Sequence, residues 1–264
     1  MVLSGRVERS VREAIRWERR VLGIGRWLSP QVRRRLRQLV GAGPLQEGRR
    51  YAPTDELPRL FQLLNNRRAR YVVLRWFDGL PDEVDGDIDF LVADEDLPLF
   101  ESVLRSESGG IPCDLYSESG RRGYRYADMP YFPPHLAKRI LSRAIIIAGP
   151  LNVPCDEDHF LSLAYHAVYQ KGLRSGLPTM LSPVQPIPAP LHDYQGTLLR
   201  LARKLGLSVE ISMEDLEDFL AENGWRPADP MLRQLARHNP WLRKRMLVAG
   251  EAKPRATVTK VQVA

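Results

Sequence analysis

The run Asp87-Ile-Asp-Phe-Leu-Val92 restricts this chain more than any other feature of it. Its aliphatic and aromatic residues favour an extended strand, and strand side chains alternate, so Asp87 and Asp89 share one face while Ile88 and Phe90 share the other. A sheet that buries Ile88 and Phe90 therefore presents two carboxylates on its opposite side. Two carboxylates that close repel each other unless a cation neutralises them, and hard oxygen ligands suit Mg²⁺ or Mn²⁺. The segment Ile111-Pro-Cys-Asp-Leu-Tyr116 repeats the pattern, with Ile111, Cys113 and Leu115 alternating with Asp114. A third carboxylate on an adjacent strand would complete a site for metal ions that bridge phosphate oxygens.

The elements around these runs follow from local signals. A short helix over Leu57 to Asn66 leads into Tyr71-Val-Val-Leu-Arg-Trp76, a buried strand, and the turn-rich stretch Asp78 to Gly86 delivers the chain to Asp87. Asp94 to Leu104 reads as helix, Gly109-Gly110 opens the next strand, and Pro112 either weakens that strand or places it near a sheet edge. Strand, loop, strand, helix, strand predicts an α+β core over residues 51–130. Residues 131–250 are expected to be mainly helical, apart from a strand at Ala144-Ile-Ile-Ile147. Between Asp156 and Lys171 the residues Phe160, Leu163, Ala164, Ala167 and Val168 form an apolar stripe, with Gly172 placed to cap the helix. Residues 178–190 hold five prolines and read as a surface connection. Ser212-Met-Glu-Asp215 starts a helix that Gly224 closes, Asp229-Pro230 starts another, and Asn239-Pro240 breaks it. Residues 251–264 read as a flexible tail.

Charge is distributed unevenly. Residues 1–50 hold thirteen Arg, no Lys and four Glu, more than the whole chain's net charge of +7, so the remainder is slightly acidic. Between Arg6 and Leu22, Val7, Val11, Ala14, Ile15, Val21 and Leu22 line one side of a helix and Arg9, Arg12, Arg16, Arg19 and Arg20 the other. A second basic amphipathic helix starts at Ser29-Pro30 and ends at Gly41. Such an arm, residues 1–40 above all, suits docking on its own domain with a solvated Arg face, or attachment to an anionic membrane surface, or, less well, to a nucleic acid. A long nucleic acid is not the expected partner, because the catalytic half lacks the positive field that would hold one. No continuous apolar run reaches about 18 residues, and two cysteines form no CxxC pair, so a cytoplasmic setting, with membrane association through the arm, is expected.

The strand Tyr71 to Trp76 with Asp78-Gly79, then Gly86-Asp-Ile-Asp-Phe-Leu-Val92, then Cys113-Asp114-Leu115 together resemble the nucleotidyltransferase-fold superfamily, the DNA polymerase β-like enzymes. The resemblance spans roughly residues 55–120. It implies a mixed β-sheet flanked by helices, with Asp87, Asp89 and Asp114 as catalytic residues and metal ligands, Asp114 being the third ligand or the base that activates an acceptor hydroxyl. Where that family ends its first strand in Gly-Gly or Gly-Ser, this chain has Arg75-Trp76, and Arg75 is expected to supply the phosphate contact. In the helical half, His159 and His166 are seven apart and lie on one side of a helix, bordering its apolar stripe. His166 is either a satisfied core histidine or a substrate contact, and Lys171 either balances the helix C-terminus or reaches a phosphate.

The expected activity is transfer of a nucleotidyl group from a nucleoside triphosphate to a small-molecule or envelope-glycan acceptor, using Mg²⁺ or Mn²⁺. Two alternatives stand beside it: a catalytically degenerate binding module of the same fold at the membrane surface, and a metal-dependent glycosyltransferase using Asp87-x-Asp89. Motifs of the GxxxxGK[ST], GxGxxG, HExxH and GxSxG types are missing, which leaves P-loop, Rossmann, zincin and α/β-hydrolase readings without support.

Overall fold

A computed structural model describes residues 49–251 except 54–55, 85, 107–109, 148, 182–189 and 191, with side chains to residue 247. The basic helices expected over residues 6–40, part of the proline-rich connection and residues 252–264 of the tail lie outside the described residues. The fold is mixed α+β: among the described residues there are six strands and eight α-helices. Four strands, β1 (Arg49–Ala52), β2 (Tyr71–Val73), β3 (Ile88–Val92) and β4 (Ile111–Ser117), form one mixed sheet in the order β1-β4-β3-β2. β3 and β4 run parallel, and the outer pairs β1/β4 and β2/β3 run antiparallel. The crossover between the parallel strands is helix α2 (Leu97–Val103), and α1 (Leu57–Asn66) joins β1 to β2.

Alternation assigns the two faces. Tyr71, Val73, Ile88, Phe90, Val92, Cys113 and Leu115 pack with α1 and α2 through Leu57, Leu60, Phe61, Leu64, Leu97 and Phe100. In α1 these apolar residues recur at i, i+3, i+4 and i+7, which is why that helix has one face to bury. The opposite face, with Val72, Leu74, Leu91 and Tyr116, belongs to the core of the helical half. That half comprises α3 (Pro134–Ser142), α4 (Asp156–Tyr165), α5 (Tyr194–Leu205), α6 (Met213–Glu222), α7 (Asp229–Ala236) and α8 (Pro240–Glu251), with the hairpin β5 (Ile145–Ile147) and β6 (Leu151–Val153) lying against β2. Arg139 of α3 and Arg143 just after it grip Glu157 and Asp158 in the acidic first turn of α4 at 2.5–3.3 Å, a place where a helix dipole already favours negative charge.

The structure departs from the sequence expectation in several places: the strand expected over Tyr71 to Trp76 ends at Val73, and β6 is not among the expected elements. Arg49 and Arg50, grouped by composition with the basic arm, are the first residues of β1. Pro112 lies on an inner strand, not near an edge. Its missing N–H costs nothing there, because Tyr51 opposite exchanges both backbone hydrogen bonds with Arg105 at 2.9 Å, and β3 begins only opposite Cys113. The helix predicted through Lys171 is α-helical to Tyr165, then widens into a π turn (His166–Lys171) and tightens into a 3₁₀ turn (Gly172–Ser175). Asn239, in the link after α7, caps α8 and donates from Nδ2 to the carbonyls of Val168 at 2.7 Å and Tyr169 at 3.1 Å and so satisfies that widened turn. Gly172 permits the approach, since its φ is +57° and a Cβ there would lie 2.3 Å from Asn239 Oδ1.

Candidate functional site

Register places a row of charges across three strands. Arg49 of β1 is paired with Asp114 of β4, and Asp114 with Asp89 of β3. Asp87, two residues before Asp89, continues the acidic face by strand alternation. The row lies on the side of the sheet that the helical half covers, so exposure falls from 38% for the Asp87 side chain to 4% for Asp89 and 1% for Asp114.

Each carboxylate meets a guanidinium. Arg49 bridges two of them, with Nη2 3.2 Å from Asp87 Oδ2 and 3.0 Å from Asp114 Oδ2, and its Nε 2.6 Å from Asp114 Oδ1. Asp114 Oδ1 nevertheless accepts no aligned hydrogen bond. Burial and the neighbouring Asp89 push the Asp114 carboxyl up to about 8, while Arg49 pulls it back. Arg75 follows β2, where the Leu74 N–H donates to the Asp89 carbonyl at 2.9 Å, and its Nη2 reaches Asp89 Oδ2 at 2.7 Å. Burial raises the Asp89 carboxyl and Arg75 opposes the rise.

Behind Arg75 runs a buried polar chain into the helical half. Its Nη1 donates to the Tyr131 hydroxyl at 2.7 Å, and that hydroxyl is 2.6 Å from His166 Nδ1. His166 Nδ1 is also 2.6 Å from Gln170 Oε1, and His166 Nε2 is 3.2 Å from the Tyr194 hydroxyl. Gln170 donates from Nε2 to the Tyr131 carbonyl at 2.9 Å, which fixes its Oε1 toward the imidazole. An amide oxygen only accepts, so Nδ1 carries the proton and Nε2 accepts from Tyr194. Burial, and next the charge of Arg75, hold the His166 pKa well below its ordinary value, so the ring is neutral. Tyr116, on the same face as Asp114, lies against the Tyr131 ring at 3.9 Å between centroids.

The six residues singled out from the sequence thus divide. Asp87, Asp89 and Asp114 share one face, Arg75 is a buried partner of Asp89, and His166 is a fully engaged core histidine connected to Arg75 through Tyr131. Lys171, at the end of the π turn, is exposed as a whole residue and lies in the field of Asp89 and Asp87; desolvation of its ammonium and next the charge of Arg75 lower its pKa. Sequence reasoning missed Arg49, Tyr131, Gln170 and Tyr194. His159, in α4, packs on Phe77 with ring centroids 4.7 Å apart.

The donor set agrees in chemistry with a hard divalent cation: three carboxylates on one face, one of them with a buried oxygen that no hydrogen bond satisfies. As the side chains stand, guanidinium groups neutralise them, and among the described residues no three His, Cys, Asp or Glu side chains are grouped closely enough to hold a metal. No helix of the described residues is long and apolar enough to cross a membrane. No protein-family model, curated protein or solved structure matches the chain.

Proposed function

We propose that the acidic face of β3 and β4 is the reaction centre of a metal-dependent nucleotidyltransferase of the polymerase-β-like fold. The supporting observation is the register of Asp89 with Asp114 on adjacent parallel strands, with Asp87 on the same face. Asp87, Asp89 and Asp114 would hold Mg²⁺ or Mn²⁺, which, when bound, offsets charge on the phosphates. The substrates are a nucleoside triphosphate and a hydroxyl on a small molecule or glycan precursor. An acceptor oxygen bonds to the α-phosphorus, the bond to the pyrophosphate oxygen breaks with its electron pair, and the hydroxyl proton passes to a carboxylate. Arg75 positions Asp89 from behind, because its two Nη groups are engaged by Asp89 and Tyr131. Contact with the phosphates then falls to Lys171, an exposed residue in the field of the carboxylates.

A second reading, a nucleotide-binding module without catalysis, is favoured by the two arginines that already neutralise the three carboxylates. A panel of nucleoside triphosphates with Mg²⁺, assayed for binding and for pyrophosphate release, separates the two. Release that disappears in Asp89→Asn supports transfer. Binding without release under any acceptor tried supports the module, and loss of nucleoside diphosphate from a nucleotide-sugar would point to glycosyl transfer instead.

A further inference from the structure

The two arginines at the acidic row are held differently. Arg75 is 7% exposed and is tied to both Asp89 and Tyr131 inside the core. Arg49 stands on the edge strand β1, and its side chain is 36% exposed. It reaches across β4 to bridge Asp87 and Asp114, the pair whose shared space a divalent cation would also use. A guanidinium and a metal ion cannot both lie between the same two carboxylates, since each needs the same lone pairs and the two cations repel. Arg49 meets Asp114 Oδ1 as an ion pair at 2.6 Å without an aligned hydrogen bond, so that oxygen keeps a lone pair for another cation.

We propose that Arg49 is a built-in counter-cation that competes with divalent metal for Asp87 and Asp114, and so sets the metal concentration at which the site fills. The inference rests on the metal-site reading given above. The site is closed by its own arginine when metal is scarce, and metal binding displaces the Arg49 side chain toward solvent while Arg75 stays in place. The apparent metal affinity is reduced by the fraction of molecules in which Arg49 has left, so deleting the guanidinium strengthens binding.

The test is Mn²⁺ titration of the full chain by calorimetry and by the electron paramagnetic resonance signal of free Mn²⁺. Wild type, Arg49→Gln and Arg49→Lys are compared, with Asp89→Asn as the metal-binding control. Arg49→Gln should bind Mn²⁺ about tenfold more tightly than wild type, the order expected for losing a charged hydrogen-bonding competitor. Arg49→Lys should fall between them, since a single ammonium bridges two carboxylates less well than a fork. If Arg49→Gln folds only when Mn²⁺ is added, that rescue supports the same conclusion. Equal affinity in wild type and both variants overturns the competition and leaves the metal site standing. Failure of wild type and Arg49→Gln alike to bind Mn²⁺ overturns both.

Discussion

Arg75 carries two loads, a carboxylate at one end and a phenol at the other. Charges so far from water tolerate no loss of a partner: breaking a buried ion pair from one side costs about 3–5 kcal/mol. Arg75→Met should therefore lower the unfolding free energy by about that amount, read from urea denaturation. The double variant Arg75→Met with Asp89→Leu should recover most of the loss, because an apolar pair of similar volume is often neutral in such a place. A double variant no more stable than Arg75→Met alone would mean that the pair is not an energetic unit. The carboxylate pattern was legible in the sequence because alternation along a strand is a local property. The role of Arg49 was not legible: it comes from strand pairing with a residue 65 positions away, and composition alone groups that arginine with its basic neighbours.

At the scale of elements, the widened turn after α4 depends on one amide. Asn239 caps α8 through Oδ1 and holds two carbonyls of the π turn through Nδ2. Asn239→Ala removes a cap and leaves buried acceptors unpaired, and together these should cost about 2–4 kcal/mol in chemical denaturation. Gly172→Ala, which adds strain at positive φ and a clash with the same amide, should be at least as damaging. Hydrogen exchange of residues 166–175 should rise in both variants, and unchanged protection would remove Asn239 from this role. The helix start at Ser212 and its stop at Gly224 were readable, since Ser212 Oγ accepts from the Asp215 N–H at 3.1 Å and Gly224 has a φ of +72°. The π turn was not readable, because the residue that satisfies it lies about seventy positions downstream.

Across the whole molecule, two neutral histidines tie stability to acidity. Burial lowers His159 to about 4 and holds His166 well below its ordinary value, whereas in an unfolded chain both protonate at about 6.5. Between those values the unfolded state binds more protons than the folded one, so stability is full above the unfolded pKa and falls as pH drops from about 6.5 to 4. His159→Phe should flatten part of that slope in melting temperatures taken across the window; an unchanged slope would exclude His159 as a source. The sheet supplies the other large dependence. Phe90 sits among Phe61, Tyr71 and Phe100 with ring centroids 5.3–6.3 Å apart, so Phe90→Ala should cost about 3–5 kcal/mol.

The gradient of exposure along the acidic row also gives its members an order of approach. Asp87 is the exposed end of the row at the start of β3, while Asp89 and Asp114 are buried beneath the helical layer. Under the proposed reading, Asp87 is therefore the first of the three carboxylates that a cation arriving from solvent would meet.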